Sequence, residues 1–335
     1  MFWDRIFNFL IILKMTNSLY LVDFNNLSYR LSRGDNSVFQ DNKTGLRYHL
    51  GDIKGLFQFI EGCPANTIYF ALDGSPTYCR ALVPSYKMNR ESYQKDVFNI
   101  NLHEKLKLCM GHAEKFGKIL KVIGIADCEA DQTISSFITV FKTPKKIFPK
   151  SGRFLQQDTY FEKDFDGVRN VNLRQLDFNF DEIVIISTDS DLYQLIGENI
   201  YIDSTADFKE KNNIETIKSV SNVAPYLIPV YKVFFGDKTD NIKGLLEGSA
   251  LGVSDFVNAF TSKNDIDSFL VDIKYGYTSK VAYTPFLEYI KNHKKLKDFA
   301  TLLEVFRLDY FDFPRMLELS SNDYNSLCEK YGLNC

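Results

Sequence analysis

Short apolar runs, rich in β-branched and aromatic residues, recur along the chain at Leu19–Val22, Thr67–Leu72, Ile119–Ile123 and Ile183–Ser187. Each gives way to a stretch whose apolar positions fall at helical spacing. Uninterrupted apolar runs of this length belong to strands covered on both faces, not to a sheet with one wet side. Strand and helix in alternation predict an α/β fold with a central, mostly parallel sheet and helices on both faces. After residue 241 the pattern changes. PFLEYIKNHKKLKDF and ATLLEVFRL keep the helical period and no further strand series follows. The chain therefore divides into an α/β core over 18–235 and a C-terminal helical region over 236–335. Residues 142–180 are rich in Lys, Asp and Gln with a weak apolar pattern, and read as an insertion between two core strands. Residues 1–17 read as an N-terminal extension. Its apolar stretch Phe7–Leu13 falls far short of the roughly 20 residues a membrane span needs, and no small-residue cleavage site follows it.

The predicted strands end in acids. Leu19–Val22 runs into Asp23, and Thr67–Leu72 into Asp73. After Ile119–Ile123 comes GIADCEADQTISSF with Glu129 and Asp131, and IVIISTDSDLYQL delivers Asp189 and Asp191. Further on, VFFGDKTDNIKG supplies Asp237 and Asp240. Turn and cap positions explain one such pair. They do not explain four strand ends at once, because a parallel sheet collects the carboxyl ends of its strands at one edge. Two carboxylates about 4 Å apart repel by roughly 4 kcal/mol at an effective dielectric near 20. Protonation relieves a pair but hardly eight groups, so divalent cations are the expected partners. An all-oxygen donor set favours Mg²⁺ or Mn²⁺. The four histidines lie far apart and the six cysteines form no CxxC pair, so nothing resembles a zinc site. Two Mg²⁺ ions a few ångströms apart suit in-line attack on a phosphodiester.

The formal charge of −3 does not advertise a polyanion partner, but the mean hides a local field. Residues 80–121 hold nine Lys/Arg against four acids, a local +5, interleaved with Tyr86, Tyr93 and Phe98. Cations hold phosphates and aromatic faces stack on unpaired bases. The plainer alternative is a solvated helix with core aromatics.

In order, VDFNN, FALDGSPTYCRALVPSYKMNR, CEADQT, STDSDLYQL and GDKTDNIKG resemble the 5′-nuclease (flap endonuclease-like) superfamily over about residues 18–245. The likeness is greatest to phage 5′→3′ exonucleases, including the T-even phage RNase H, and LLEVFRLDYFDFP adds to it. The resemblance implies a PIN-like/flap-nuclease fold and two Mg²⁺ ions, with Mn²⁺ able to substitute. It implies a cytoplasmic nuclease, in the host cytoplasm if phage-encoded, with no membrane association. Such an enzyme cleaves near the 5′ ends of branched, nicked or RNA-primed duplexes in replication and repair. Its partners would be DNA and RNA–DNA hybrids, with a replisome clamp or single-strand-binding protein as recruiter. Carried over, Asp23, Asp73, Glu129 and Asp131 surround the first metal. Asp189, Asp191 and Asp240 serve the second, with Asp237 close by, and the sharing of ligands stays open.

Tyr86, Lys87 and Arg90 match the family's Y-K-x-x-R, which places 80–121 as an arch or gateway over the metals. Lys87 would meet the scissile phosphate, joining Arg90, Asp73 and Asp191 as the catalytic set. Arg90 would hold the adjacent phosphate and Tyr86 would stack on a base. Lys238 and Lys243 would meet the duplex backbone in the C-terminal DNA-binding region. Two departures stand out. Gln132 replaces the second Asp of the family's EADD, offering an amide oxygen without charge, so weaker affinity for one metal is expected. NIKGLLEGSALG lacks the usual glycine spacing of the family's DNA grip, which leaves that grip and a K⁺ site open. Three other readings compete: a PIN-type endoribonuclease, a catalytically weakened structure-specific DNA-binding replication protein, and a DxD phosphatase. The first usually lacks Y-K-x-x-R and GD-x-x-D. The last fails because VDFNN has no second Asp at the required position.

Overall fold

The computed structural model describes residues 17–34, 37–41, 43–88, 98–125, 128–142, 169–170, 179–209, 211–221, 223–275, 279–308 and 315–334. Its strands are β1 (Ser18–Asp23), β2 (Val38–Gln40), β3 (Arg47–His49), β4 (Thr67–Ala71), β5 (Phe98–Asn99), β6 (Ile119–Gly124), β7 (Arg169–Asn170), β8 (Glu182–Ile186), β9 (Ile200–Asp203), β10 (Gly236–Asp237), β11 (Ile242–Lys243) and β12 (Arg315–Glu318). Seven of them form one sheet. Its order is β7-β12-β6-β4-β1-β8-β9, with β6, β4, β1, β8 and β9 mutually parallel. The four apolar runs of the sequence are β1, β4, β6 and β8.

Alternation within each strand feeds two cores. Tyr20, Val22, Ile68, Phe70, Val184 and Ile186 face one layer of side chains. Leu19, Leu21, Tyr69, Ala71, Ile183 and Ile185 face the other. Both faces are dry, which is why the strands read as unbroken apolar runs. The helices that cover them include α1 (Phe24–Gly34), α2 (Gly51–Gly62), α4 (Leu102–Lys115) and α5 (Ala130–Lys142), while the short α3 (Thr77–Leu82) packs through Tyr78, Cys79 and Leu82 on a separate helical core. β1 is central, with β4 on one side and β8 on the other, so the chain crosses in opposite directions from it. The carboxyl ends of β1, β4 and β8 therefore meet at a switch point, the usual place for a site in an open parallel sheet.

A third core is almost entirely helical and lies within 223–306, joined by Cys79 and Tyr86. It follows α6 (Ile214–Ser221), whose Ile217 packs on the sheet instead, and is built from α7 (Ile228–Phe235), α8 (Val253–Ala259), α9 (Lys263–Tyr275), α10 (Thr284–Asn292) and α11 (Leu296–Phe306) with their connecting turns. At its centre is the fully buried Phe234, with ring centroids of Phe256, Phe269, Phe286 and Phe299 at 6.0, 6.1, 5.0 and 5.8 Å. Phe234→Ala should lower unfolding free energy by about 3–5 kcal/mol in urea titration, because four rings cannot collapse into one void. A loss below about 1 kcal/mol would mean that this core is not packed as described.

Two expected boundaries move. The 236–335 region is not helical to its end, because β12 pairs antiparallel with β6 and with β7. After β12, α12 (Tyr324–Tyr331) buries Leu327, Cys328 and Tyr331 in the first core. Only four residues make β12, too few for period alone to reveal. Nor is 80–121 one continuous arch. Helix α4 is a core helix, with Lys105 buried against Asp52 and Lys107 paired to Asp323 at 2.6 Å. Lys118 is spent on the carbonyls of Cys63 and Ala65, and residues 119–121 belong to β6. Only the stretch between α3 and β5 is left as a gateway, and its residues 89–97 lie outside the described residues. Most of the insertion at 142–180 and residues 1–16 also lie outside them. No helix among the described residues is long and apolar enough to cross a membrane.

Candidate active site

Each carboxylate reaches the switch point by a local rule. Asp23 is the last residue of β1, where its side chain accepts from Ser187 Oγ at 3.0 Å and from the Asn26 amide at 3.2 Å. Asp73, two residues past β4, accepts from Asn25 Nδ2 and from the Ala130 amide, both at 2.8 Å. The Ala130 amide opens α5, so the carboxylate sits at the positive end of that helix. Glu129 immediately precedes the same helix and Asp131 lies in its first turn. Asp189 caps the short 3₁₀ turn Ser190–Leu195 by accepting from the Asp191 amide at 2.9 Å. The cap turns the chain so that Asp191 is swung inward and buried, which is how one strand end aims two acids at one place.

Asp237 and Asp240 occupy the β10–β11 hairpin, whose turn is held by the Thr239 and Asp240 amides on Asp237 Oδ1 at 2.7 and 3.2 Å. The hairpin needs its glycines. Gly236 has φ of +80°, and a Cβ there would lie 2.5 Å from the Gly244 nitrogen. A Cβ on Gly244 would lie 2.3 Å from the Phe234 carbonyl oxygen. The backbone thus closes on itself at Gly236 and Gly244.

Asp191, Asp237 and Asp240 each offer an oxygen, all within 4.8 Å of one another. Burial, followed by the charge of Asp73, pushes Asp23 up to about 7. Burial also pushes Asp191 up to about 7, against the pull of Lys232. Asp131 is raised by burial and by Glu129 beside it, and Asp240 by burial. Asp237 moves the other way: burial would raise it, but the hydrogen bond and charge of Lys232 hold it below its ordinary value. The mutual fields link all eight acids into one cluster, Asp189 acting on Asp23, Asp131 and Asp240.

Among the described residues, two ammonium groups stand among the acids. Lys87 donates to Glu129 Oε1 at 2.5 Å and lies 3.7 Å from Asp240 Oδ1. Its amide donates to the Asp240 carbonyl at 2.9 Å, and its φ of +54° is a left-handed conformation that a lysine rarely adopts. Lys232 is paired with Asp191 and, at 2.5 Å, with Asp237. Burial works against its charge, yet the two acids hold its pKa up. Sequence reading passed over Lys232. The available signal was a single charge inside the apolar helix IPVYKVFF, buried with its neighbours.

Other placements differ from expectation. Tyr86 is 3% exposed and its hydroxyl donates to Glu129 Oε2, so its ring offers no face to a base in this arrangement. Gln132 Oε1 accepts from the Glu129 amide at 2.8 Å, so that oxygen is committed to the helix start rather than free for a metal. Lys238 and Lys243 are exposed, Lys243 beside Glu247 at 3.4 Å. Arg90 lies outside the described residues.

No protein-family model matches the chain. Over 85 residues, 25% of this chain and 29% of the relative, it is 34% identical to the 5′-3′ exonuclease of Mycoplasmopsis pulmonis (strain UAB CTIP). The match therefore spans less than a third of that relative's length. The zinc-bound 5′-exonuclease of T5 superposes with a TM-score of 0.51 at 17% identity, covering 87% of this chain and 90% of that one. The bacteriophage T5 flap endonuclease, in a pseudo-enzyme-product complex with DNA and metal ions, superposes at 0.50 with 16% identity, over 87% and 89%. The chain has the 5′-nuclease fold. In this 5′-nuclease fold the acids gather at the carboxyl edge of the sheet, with Lys87 on the α3 side and Lys232 on the helical side.

The donor set fits divalent cations. Among the described residues, eight carboxylates face two ammonium groups, and the buried acids at about 7 mark a site short of positive charge. A metal-free protein then has a definite pH signature. Asp23 and Asp191 hold protons in the folded state that they lose in the unfolded chain between the ordinary carboxylate range and about 7. The folded state binds more protons in that window, so stability falls as pH rises through it. A cation takes the place of those protons. Added Mg²⁺ should raise Tm more near pH 8 than near pH 6, read by thermal denaturation; equal shifts would contradict this.

Proposed function

We propose that this chain is a Mg²⁺-dependent 5′→3′ nuclease that hydrolyses phosphodiesters near the 5′ ends of flaps, nicks and RNA-primed duplexes. Removing primers and flaps in replication is the fitting role. The observation that carries the reading is the Asp191–Asp237–Asp240 triad set beside Glu129 and Lys87, at the edge where five parallel strands end.

Asp191, Asp237 and Asp240, with Asp189, would hold one ion. Asp23, Asp73, Glu129 and Asp131 would surround a second. Bound there, such ions stabilise charge on phosphoryl oxygens and lower the pKa of water. The chain's own groups do the rest. Lys87 keeps its proton, because Glu129 and Asp240 raise its pKa against the opposing effect of burial. When a phosphate arrives, the ammonium can pass from Glu129 to a phosphoryl oxygen and stabilise the charge that develops there. Tyr86 keeps its hydroxyl on Glu129, and burial holds that hydroxyl in its protonated form. Lys232 separates Asp191 from Asp237 and limits their repulsion. Exposed Lys238 and Lys243 would meet the backbone of the duplex, and Arg90 would hold an adjacent phosphate.

The test is a series of 5′-labelled flap, nicked and RNA-primed duplexes incubated with Mg²⁺ or with EDTA. Short labelled products from the 5′ end, lost in EDTA, are expected. Cleavage that persists in EDTA, or none on any substrate, would overturn the reading.

A further inference from the structure

We infer that Gln132 is a positioning residue that fixes Glu129, through Cys79, against α3 and the turn that leads from it into the gateway. The inference rests on the nuclease reading and adds to it a link between the metal-facing helix and Lys87.

Gln132 and Cys79 are 4% and 2% exposed. The two ends of the Gln132 amide do different jobs. Oε1 accepts from the Glu129 amide at 2.8 Å, which satisfies a donor that the start of α5 would leave open. Nε2 donates to Cys79 Sγ at 3.2 Å, on α3. The chain runs from α3 through a turn, with the Tyr86 amide on the Val83 carbonyl at 2.9 Å, and comes back to Glu129. There Tyr86 OH holds Oε2 and Lys87 Nζ holds Oε1. Glu129 is therefore gripped twice by one segment: at its backbone through Gln132 and Cys79, and at its carboxylate through Tyr86 and Lys87.

A cap alone does not require this geometry, since a cap at a solvated helix start needs no second partner for its amide. Here the whole amide is buried, and each end is used. The closed ring of contacts sets where the Glu129 carboxylate stands relative to the Lys87 ammonium. An acid at position 132 would lose the Nε2 donor and bring charge against the buried thiol. Gln132→Asp therefore weakens the site rather than supplying another ligand.

The experiment measures steady-state cleavage of a 5′-flap DNA, together with Mn²⁺ binding by calorimetry in the absence of DNA. The variants are Gln132→Met, Cys79→Val, Cys79→Ser, Tyr86→Phe and the Gln132→Met/Tyr86→Phe pair. Gln132→Met and Cys79→Val should each lower kcat about tenfold, with KM for DNA within about twofold, and should weaken Mn²⁺ binding severalfold. Cys79→Ser keeps an acceptor at that place and should restore wild-type values. The double variant should depart from the product of the single effects by more than about threefold, since both act on one carboxylate. Wild-type kcat and Mn²⁺ affinity in Gln132→Met would overturn the inference. So would equal losses in Cys79→Ser and Cys79→Val. If Gln132→Met does not fold, the two Cys79 variants decide alone. A wild-type protein inert on every flap would count against the nuclease reading instead, and the Mn²⁺ measurements would still judge the link.

Discussion

Asp191→Asn should cut Mg²⁺-dependent cleavage of a 5′-flap duplex by at least about a thousandfold while leaving binding to the same DNA nearly unchanged. The side chain keeps its shape, so the 3₁₀ turn capped by Asp189 survives. What changes is charge. The triad with Asp237 and Asp240 loses a third of its anionic donors, and Lys232 loses the charge of one of its two partners. On the proposed nuclease reading, DNA would be held by cations outside the triad, so binding should keep a steep dependence on salt. Single-turnover rates, paired with filter binding at two salt concentrations, check both halves. Cleavage within about tenfold of wild type would remove Asp191 from the chemistry.

Lys87→Ala is the second large effect. Loss of the ammonium should lower kcat by about a hundredfold to a thousandfold, the range seen when one preorganised donor to a developing oxyanion is removed. Affinity for DNA should change by less than about tenfold, because one phosphate contact among several is lost. Two features of the site support a catalytic over a binding role. The Lys87 side chain is 11% exposed and its ammonium sits on Glu129, so it is aimed into the cluster rather than out at the duplex. Its backbone is held in a left-handed conformation by the hydrogen bond to the Asp240 carbonyl, a strained placement that a surface lysine does not need. An effect confined to KM would take Lys87 out of catalysis.

Much of this was legible along the chain. The apolar runs that became β1, β4, β6 and β8 announce themselves because strands buried on both faces leave no polar positions. Their acidic ends were readable because parallel strands can deliver side chains to only one common edge. What escaped reading depends on contacts between distant segments. Lys232 carries no local sign of its partners, and its role exists only because Asp191 and Asp237 close around it. Tyr86 looked like a base platform, and its burial against Glu129 is a tertiary fact. The lysines of α4 looked like part of an arch, although Asp52 and Asp323, far away in sequence, claim two of them. Gln132 looked like a weakened ligand, since nothing local announces that a cysteine 53 residues away will take its amide. Short β12 escaped because four residues carry too little pattern to separate a strand from a loop.

The convergence of these acids into a cation site is open to one direct measurement: anomalous scattering from a crystal of the protein soaked in Mn²⁺. A strong peak in contact with Asp191, Asp237 and Asp240, and a second beside Asp23, Asp73 and Glu129, is the predicted result. A crystal that takes up Mn²⁺ only elsewhere, leaving both clusters without a peak, would contradict it.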